Sequence, residues 1–150
     1  LVNDLRLVNP DLVIFGIGIN DATAADFSVE DFVARYKELV SQVRSVNPDC
    51  ALLFISNNDS FKRIRRKGYV VNTNGQLAEQ GFKRLGKDCD AGVWDLFDIM
   101  GGLGSMRKWE AAGLAKRDKI HFTETGYELV GNLLFNALMD KYMNHLKTSR

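Results

Sequence analysis

The sequence predicts an α/β protein built on a parallel sheet. Three observations carry that reading. Leu12-Val13-Ile14-Phe15-Gly16-Ile17 and Ala51-Leu52-Leu53-Phe54-Ile55 are continuous apolar runs of strand length, the pattern of strands buried on both faces. A segment with helical spacing of apolar residues lies between them. A third, shorter run, Val93-Trp94-Asp95-Leu96-Phe97, follows a second segment of helix length. Helix, strand, helix, strand, helix, strand, helix is the rhythm of right-handed crossovers with helices on both faces, a three-layer α/β/α architecture.

Taken in order, residues 1–8 read as a helix closed by Asn9-Pro10, because proline cannot continue it. The strand 12–17 comes next. Ser28 is placed to cap a helix with Asp31 in its first turn, where a carboxylate meets the positive end of the dipole. Val29, Phe32, Val33, Tyr36, Val40 and Val43 then recur at helical spacing until Asn47-Pro48. After strand 51–55 come a polar loop, a helix over 75–85 and the strand 93–97. A long glycine-containing loop leads to a closing helix through about Leu146, capped by Thr123 or by Thr125 in a Thr125/Glu128 capping box. Its apolar positions include Tyr127, Val130, Leu134, Leu138 and Tyr142.

Bulk properties narrow the function. The chain has 150 residues, 45% hydrophobic and 26% charged, enough for one domain with a core and incompatible with disorder. A net charge of +1 offers no bulk attraction to nucleic acid. No apolar run is long enough to span a bilayer, and no signal-peptide pattern stands at the front. The first residue is Leu1, so the chain reads as a processed or excised piece. Cys50 and Cys89 have no metal-ligand spacing, and two free thiols are favoured over a bridge. No metal or other cofactor is expected.

Chemistry concentrates in two places. Asp118-Lys119-Ile120-His121 sets an acid three residues before a base, just ahead of a helix: the imidazole can take a proton from a hydroxyl while the carboxylate holds its tautomer. Gly18-Ile19-Asn20-Asp21 leaves the first strand at its carboxyl end, where sites form in parallel sheets, and the Asn20 amide can donate to a developing oxyanion. Gly16-Ile17-Gly18 also invites a dinucleotide-binding reading, which fails because Asp21 stands where the third glycine belongs. Taken singly, Asp-x-x-His could be a loop histidine and Gly-Ile-Asn-Asp a simple turn.

Together, in this order, they resemble the SGNH, or GDSL-type, esterase and lipase superfamily. Gly18-Ile19-Asn20-Asp21 matches its third block, and Asp118 to His121 its fifth. The similarity continues through Trp94-Asp95-Leu96-Phe97, Met100-Gly101-Gly102, Trp109, Gly113-Leu114 and 121–127, which resembles the bacterial carbohydrate-esterase-like branch. The resemblance implies a flavodoxin-like fold and ester hydrolysis by a Ser-His-Asp mechanism, with no cofactor. Asp118 would be the acid, His121 the base, and Gly18 and Asn20 the oxyanion donors. The substrate would be a small ester or an acylated saccharide, and the setting bacterial, secreted or periplasmic.

The family's nucleophilic serine and a further oxyanion glycine stand before the third block. The twenty residues ahead of Asp21 contain no serine. The resemblance therefore implies that 1–150 is the C-terminal part of one such domain, truncated at its N-terminal strands and inactive alone; the strand 12–17 would then be an open edge available for self-association. Asn58-Asp59-Ser60 superficially imitates the nucleophile block, which makes Ser60 the weak alternative nucleophile, with Ser105 weaker still. Trp109 is a candidate substrate contact. Lys62-Arg63-Ile64-Arg65-Arg66-Lys67, by default a solvated loop, is the one dense charge run, and near the site it would attract an anionic polymer or acyl substrate. Two other classes compete: a degenerate binding or interaction domain of the same fold, and a flavodoxin-like module for a phosphorylated ligand, which the missing phosphate loop disfavours.

Overall fold

A computed structural model describes residues 1–148. They form two compact units, 1–105 and 106–148, taken here one at a time. In the first, α1 (Val2–Val8) ends at Asn9, whose left-handed conformation (φ 44°) closes the helix ahead of Pro10. Strand β1 (Leu12–Phe15), helix α2 (Val29–Arg44), strand β2 (Ala51–Ile55), a hairpin of β3 (Phe61–Ile64) and β4 (Gly68–Val71), helix α3 (Asn74–Asp88), strand β5 (Gly92–Trp94) and the one-turn helix α4 (Leu96–Ile99) follow.

The main sheet is parallel in the order β1-β2-β5, with Leu12 opposite Ala51 and Ile55 opposite Trp94. The sheet is flanked by helices, which makes the protein α/β as the apolar runs predict. Strands added in one direction by crossovers of one hand bring their helices to one face. The core reflects this: Phe32, Val33, Tyr36, Val40 and Val43 of α2 and Phe82 and Leu85 of α3 pack with Phe15, Leu52 and Phe54 of the sheet. The Ser28 hydroxyl accepts from Asp31 N at 3.2 Å, the expected cap.

Four sequence expectations need correction. The first strand covers 12–15 rather than 12–17 and is buried on one face only, with Leu12 and Ile14 46% and 44% exposed; it stands at the edge of the sheet, as the resemblance implies. A continuous apolar run does not distinguish a central strand from an edge one. The strand expected over 93–97 stops at Trp94. There Asp95 takes the Ser56 hydroxyl at 2.8 Å and Asp98 N at 3.3 Å, so its side chain caps a helix instead of extending the strand. The polar loop after β2 contains the hairpin, and the helix expected over 75–85 runs from Asn74 to Asp88.

The second unit begins with α5 (Met106–Ala111), inside what the sequence presents as a glycine-containing loop, and ends with α6 (Glu124–Thr148). The helix α6 is capped by Thr123, whose hydroxyl accepts from Gly126 N at 3.2 Å; Thr125 lies within the first turn, so the alternative capping box does not form. Gly126 is the one buried residue of α6, and Tyr127, Leu138 and Tyr142 are exposed, so helical spacing is met there without burial. Among the described residues, no helix is long and apolar enough to cross a membrane. Cys50 and Cys89 are free thiols, with burial pushing the Cys89 thiol up.

Candidate functional site

The segment Asp118 to His121 is a turn built by its own acid. Asp118 Oδ1 accepts from Ile120 N at 2.9 Å and His121 N at 3.0 Å, which folds the chain back over the carboxylate. Lys119 between them takes a left-handed conformation, φ 58°, and its ammonium pairs with Glu110 of α5, tying the turn to that helix. The fold-back brings His121 Nδ1 to 3.0 Å from Asp118 Oδ2. Partial burial alone would raise the Asp118 carboxyl. The backbone N–H of His121, its imidazole and the N–H of Ile120 outweigh that and hold the carboxyl below its usual range. With Nδ1–H directed at this carboxylate, Nε2 is the nitrogen left to accept a proton, and the His121 side chain is 60% exposed.

The turn is backed by a small anchored loop. Ala115 bridges Phe122, Lys116 N donates to the His121 carbonyl at 2.8 Å, and Thr123 N donates to the Leu114 carbonyl at 3.0 Å. Trp109, the expected substrate contact, packs against Phe122 with ring centroids 5.3 Å apart, and its half-buried indole therefore supports this loop.

In the first unit, Gly18 and Asn20 follow β1 at its carboxyl end. Gly18 has φ +122°, a conformation reserved for glycine, and a Cβ there would lie 2.9 Å from the Tyr36 hydroxyl, 3.1 Å from Asn57 Oδ1 and 3.1 Å from Phe82. The position therefore demands glycine on two grounds. Its carbonyl accepts from Ala22 N, and Asn20 opens a 3₁₀ turn over Asp21–Thr23 without capping it through its side chain. The Asn20 carboxamide is exposed and lines a hollow of about 690 Å³ with Asp21, Phe27 and Arg35. Asp21 pairs loosely with Arg35 at 3.5 Å. Burial, then the Asp21 carboxylate, push the Tyr36 phenol well above its ordinary range.

Sequence reasoning overlooks Asn57, two residues beyond β2. It is buried, faces Gly18, and its Nδ2 has no hydrogen-bond partner among the described residues. The signal for it was the run of polar residues 56–60 at a strand end. Ser60 is buried as well. Its hydroxyl accepts from Asn72 Nδ2 at 3.3 Å, and its carbonyl accepts from Asn72 N at 2.9 Å. Ser105 is also buried. Among the described residues, no group of three His, Cys, Asp or Glu side chains could hold a metal ion.

Residues 2–129 match the GDSL-like Lipase/Acylhydrolase family. The chain belongs to that family. Among solved structures, a peptidoglycan O-acetylesterase is 26% identical with a TM-score of 0.82, covering 93% of this chain and 40% of its own. This GDSL-like chain therefore spans about two-fifths of that protein's length. The acetyl xylan esterase AlAXEase (19% identical, TM-score 0.66, 91% of this chain and 75% of its own) shares the fold. So does a lipase/acylhydrolase from Enterococcus faecalis (20% identical, TM-score 0.60, 93% and 69%). No curated protein matches the chain.

Proposed function

We propose that the protein cleaves acyl or acetyl esters, with an acylated saccharide as the substrate class, by a serine mechanism in which this chain supplies the base, its acid and an oxyanion donor. The observation that carries the reading is the Asp118–His121 pair: one carboxylate shapes the turn through two backbone N–H groups and holds the imidazole at 3.0 Å through its other oxygen. His121 Nε2 removes the proton from the attacking hydroxyl, and the imidazolium is stabilised by an Asp118 that stays ionised. The same Nε2–H then protonates the departing alcohol. The Asn20 amide, and the backbone at Gly18, stabilise the oxyanion. The 26%-identical O-acetylesterase supports the acetyl-ester choice.

The attacking serine in this reading is neither Ser60 nor Ser105, since both hydroxyls are buried. The other described serines give no better choice. Ser28 caps α2, Ser45 donates to the Gln42 carbonyl, Ser56 donates to Asp95, and Ser41 lies late in α2, which runs away from the carboxyl edge. None of the described serines is then the nucleophile, and this chain alone has negligible activity. Assaying the chain alone on a short activated ester tests this. Turnover abolished by both Ser60→Ala and His121→Ala would restore Ser60 as nucleophile.

In the active protein, Asn20→Ala should lower kcat by about 10²–10³ while KM changes little, because an oxyanion donor acts on charge that develops in the transition state. A loss confined to KM would make Asn20 a binding residue.

The open edge of β1 carries a further expectation. An exposed parallel edge with Leu12 and Ile14 showing to solvent pairs with other strands. We expect the isolated chain to self-associate through it, giving a dimer or larger species in light scattering. A sharp monomer at high concentration would refute this.

A further inference from the structure

The hairpin β3–β4 turns the basic run into a built surface. Lys62, Arg63, Arg65, Arg66 and Lys67 place five cations in six positions, and among the described residues none of them forms an ion pair. Arg63, Ile64, Arg65, Arg66 and Gly68 line a hollow of about 420 Å³ at the tip. Two of these cations stand on β3 and three on the turn that joins it to β4, so the tip of the hairpin is a concentrated positive patch that attracts an anionic partner.

The hairpin is also rooted on the Asn20 turn. Asn72, just past β4, donates from Nδ2 to the Ala22 carbonyl at 3.0 Å, and Asn74 donates to the Ala24 carbonyl at 2.9 Å. These bonds tie the base of the ribbon to the 3₁₀ turn that begins after Asn20. A polymer that runs from the tip of the hairpin to its base thereby reaches the Asn20 turn.

Strand register defines what the surface fits. Arg63 is paired with Tyr69 across the ladder, so a guanidinium fork and an aromatic ring share one face. A guanidinium matches a carboxylate in two parallel hydrogen bonds, and an aromatic face packs on the apolar side of a sugar ring. A lipid surface asks for an apolar face beneath the cations, and Ile64 is the hairpin's one large exposed apolar side chain.

We propose that this hairpin binds carboxylate-bearing polysaccharide and presents it to the Asn20 loop. The proposal rests on the reading of the protein as a saccharide deacylase and names the charge class of its substrate. Its test reads binding without turnover, so the two stand or fall separately. The probes are carboxymethyl cellulose and hydroxyethyl cellulose, which share a backbone and differ in charge, titrated calorimetrically against the protein. Carboxymethyl cellulose should bind, with affinity falling as salt rises, and hydroxyethyl cellulose should not. Replacing all five cations with glutamine should weaken binding at least tenfold, and Arg63→Lys, which keeps the charge but loses the fork, should weaken it by several-fold. Melting curves of each variant verify that it folds, and the salt titration of the unaltered protein tests the proposal without any variant. Equal binding of both celluloses, unchanged binding by the glutamine variant, or equal or tighter binding to phosphatidylglycerol vesicles or duplex DNA would overturn it. Binding as expected, with no deacylation by a protein that includes the nucleophile, keeps this inference and loses the deacylase reading; deacylation without such binding does the reverse.

Discussion

Replacing His121 with alanine is expected to lower kcat on a short activated ester by on the order of 10⁴-fold in the active protein, with KM changed far less. The reason is local. His121 Nδ1 is committed to Asp118 Oδ2 at 3.0 Å, so Nε2 is the nitrogen free to move the proton, and alanine removes both. Asp118→Asn should cost a comparable factor while leaving the turn largely intact, because the amide oxygen can still accept from Ile120 and His121 N–H but no longer stabilises the imidazolium. The sign of the pH dependence follows. Asp118 is held below the usual carboxylate range, so the support its carboxylate gives the imidazole is present above that range and is lost only as pH falls through it. A His121→Ala protein that retains a tenth of the parent activity would remove this residue from the mechanism.

The largest stability effect is expected at Gly126. In an ordinary helix Gly→Ala gains up to about 1 kcal/mol. At position 126 the added Cβ would run into the Leu114 carbonyl oxygen, come 2.9 Å from the carbonyl carbon, and lie 3.1 Å from Phe122 Cβ. Backbone cannot rotate away as a side chain can, so the clash wins, and Gly126→Ala should destabilise by about 3–5 kcal/mol. That corresponds to roughly 10 °C in Tm. Gly131 is the internal control: it lies on the same helix with nothing within 4 Å, so Gly131→Ala should be neutral or slightly stabilising. The Leu114 carbonyl also accepts from Thr123 N, and this pairing closes the loop that carries Asp118 and His121. Activity should therefore fall with stability in Gly126→Ala and not in Gly131→Ala. Equal melting temperatures for the two variants would show that the close approach is not real.

Local chemistry was legible in the sequence because it needs few residues and short separations. The Ser28 cap, the breaks at Asn9-Pro10 and Asn47-Pro48, the periodic face of α2 and the Asp118–His121 pairing all act within about four positions of chain. The apolar runs likewise specified strands, and hence an α/β protein, without any knowledge of what they contact. Tertiary structure decided the rest, because it depends on partners far apart in the chain. Where the first strand stops, and that Leu12 and Ile14 stay exposed on one of its faces, is set by what packs against it. Strand β5 ends at Trp94 because Ser56, thirty-nine residues earlier, is there to hydrogen-bond Asp95. The basic run is a ribbon and not a loop because Phe61 to Ile64 can pair with Gly68 to Val71, and its place beside Asn20 comes from Asn72 and Asn74 reaching back fifty residues. Periodicity could state that α6 is a helix, but only packing could state that Gly126 alone of its residues is buried.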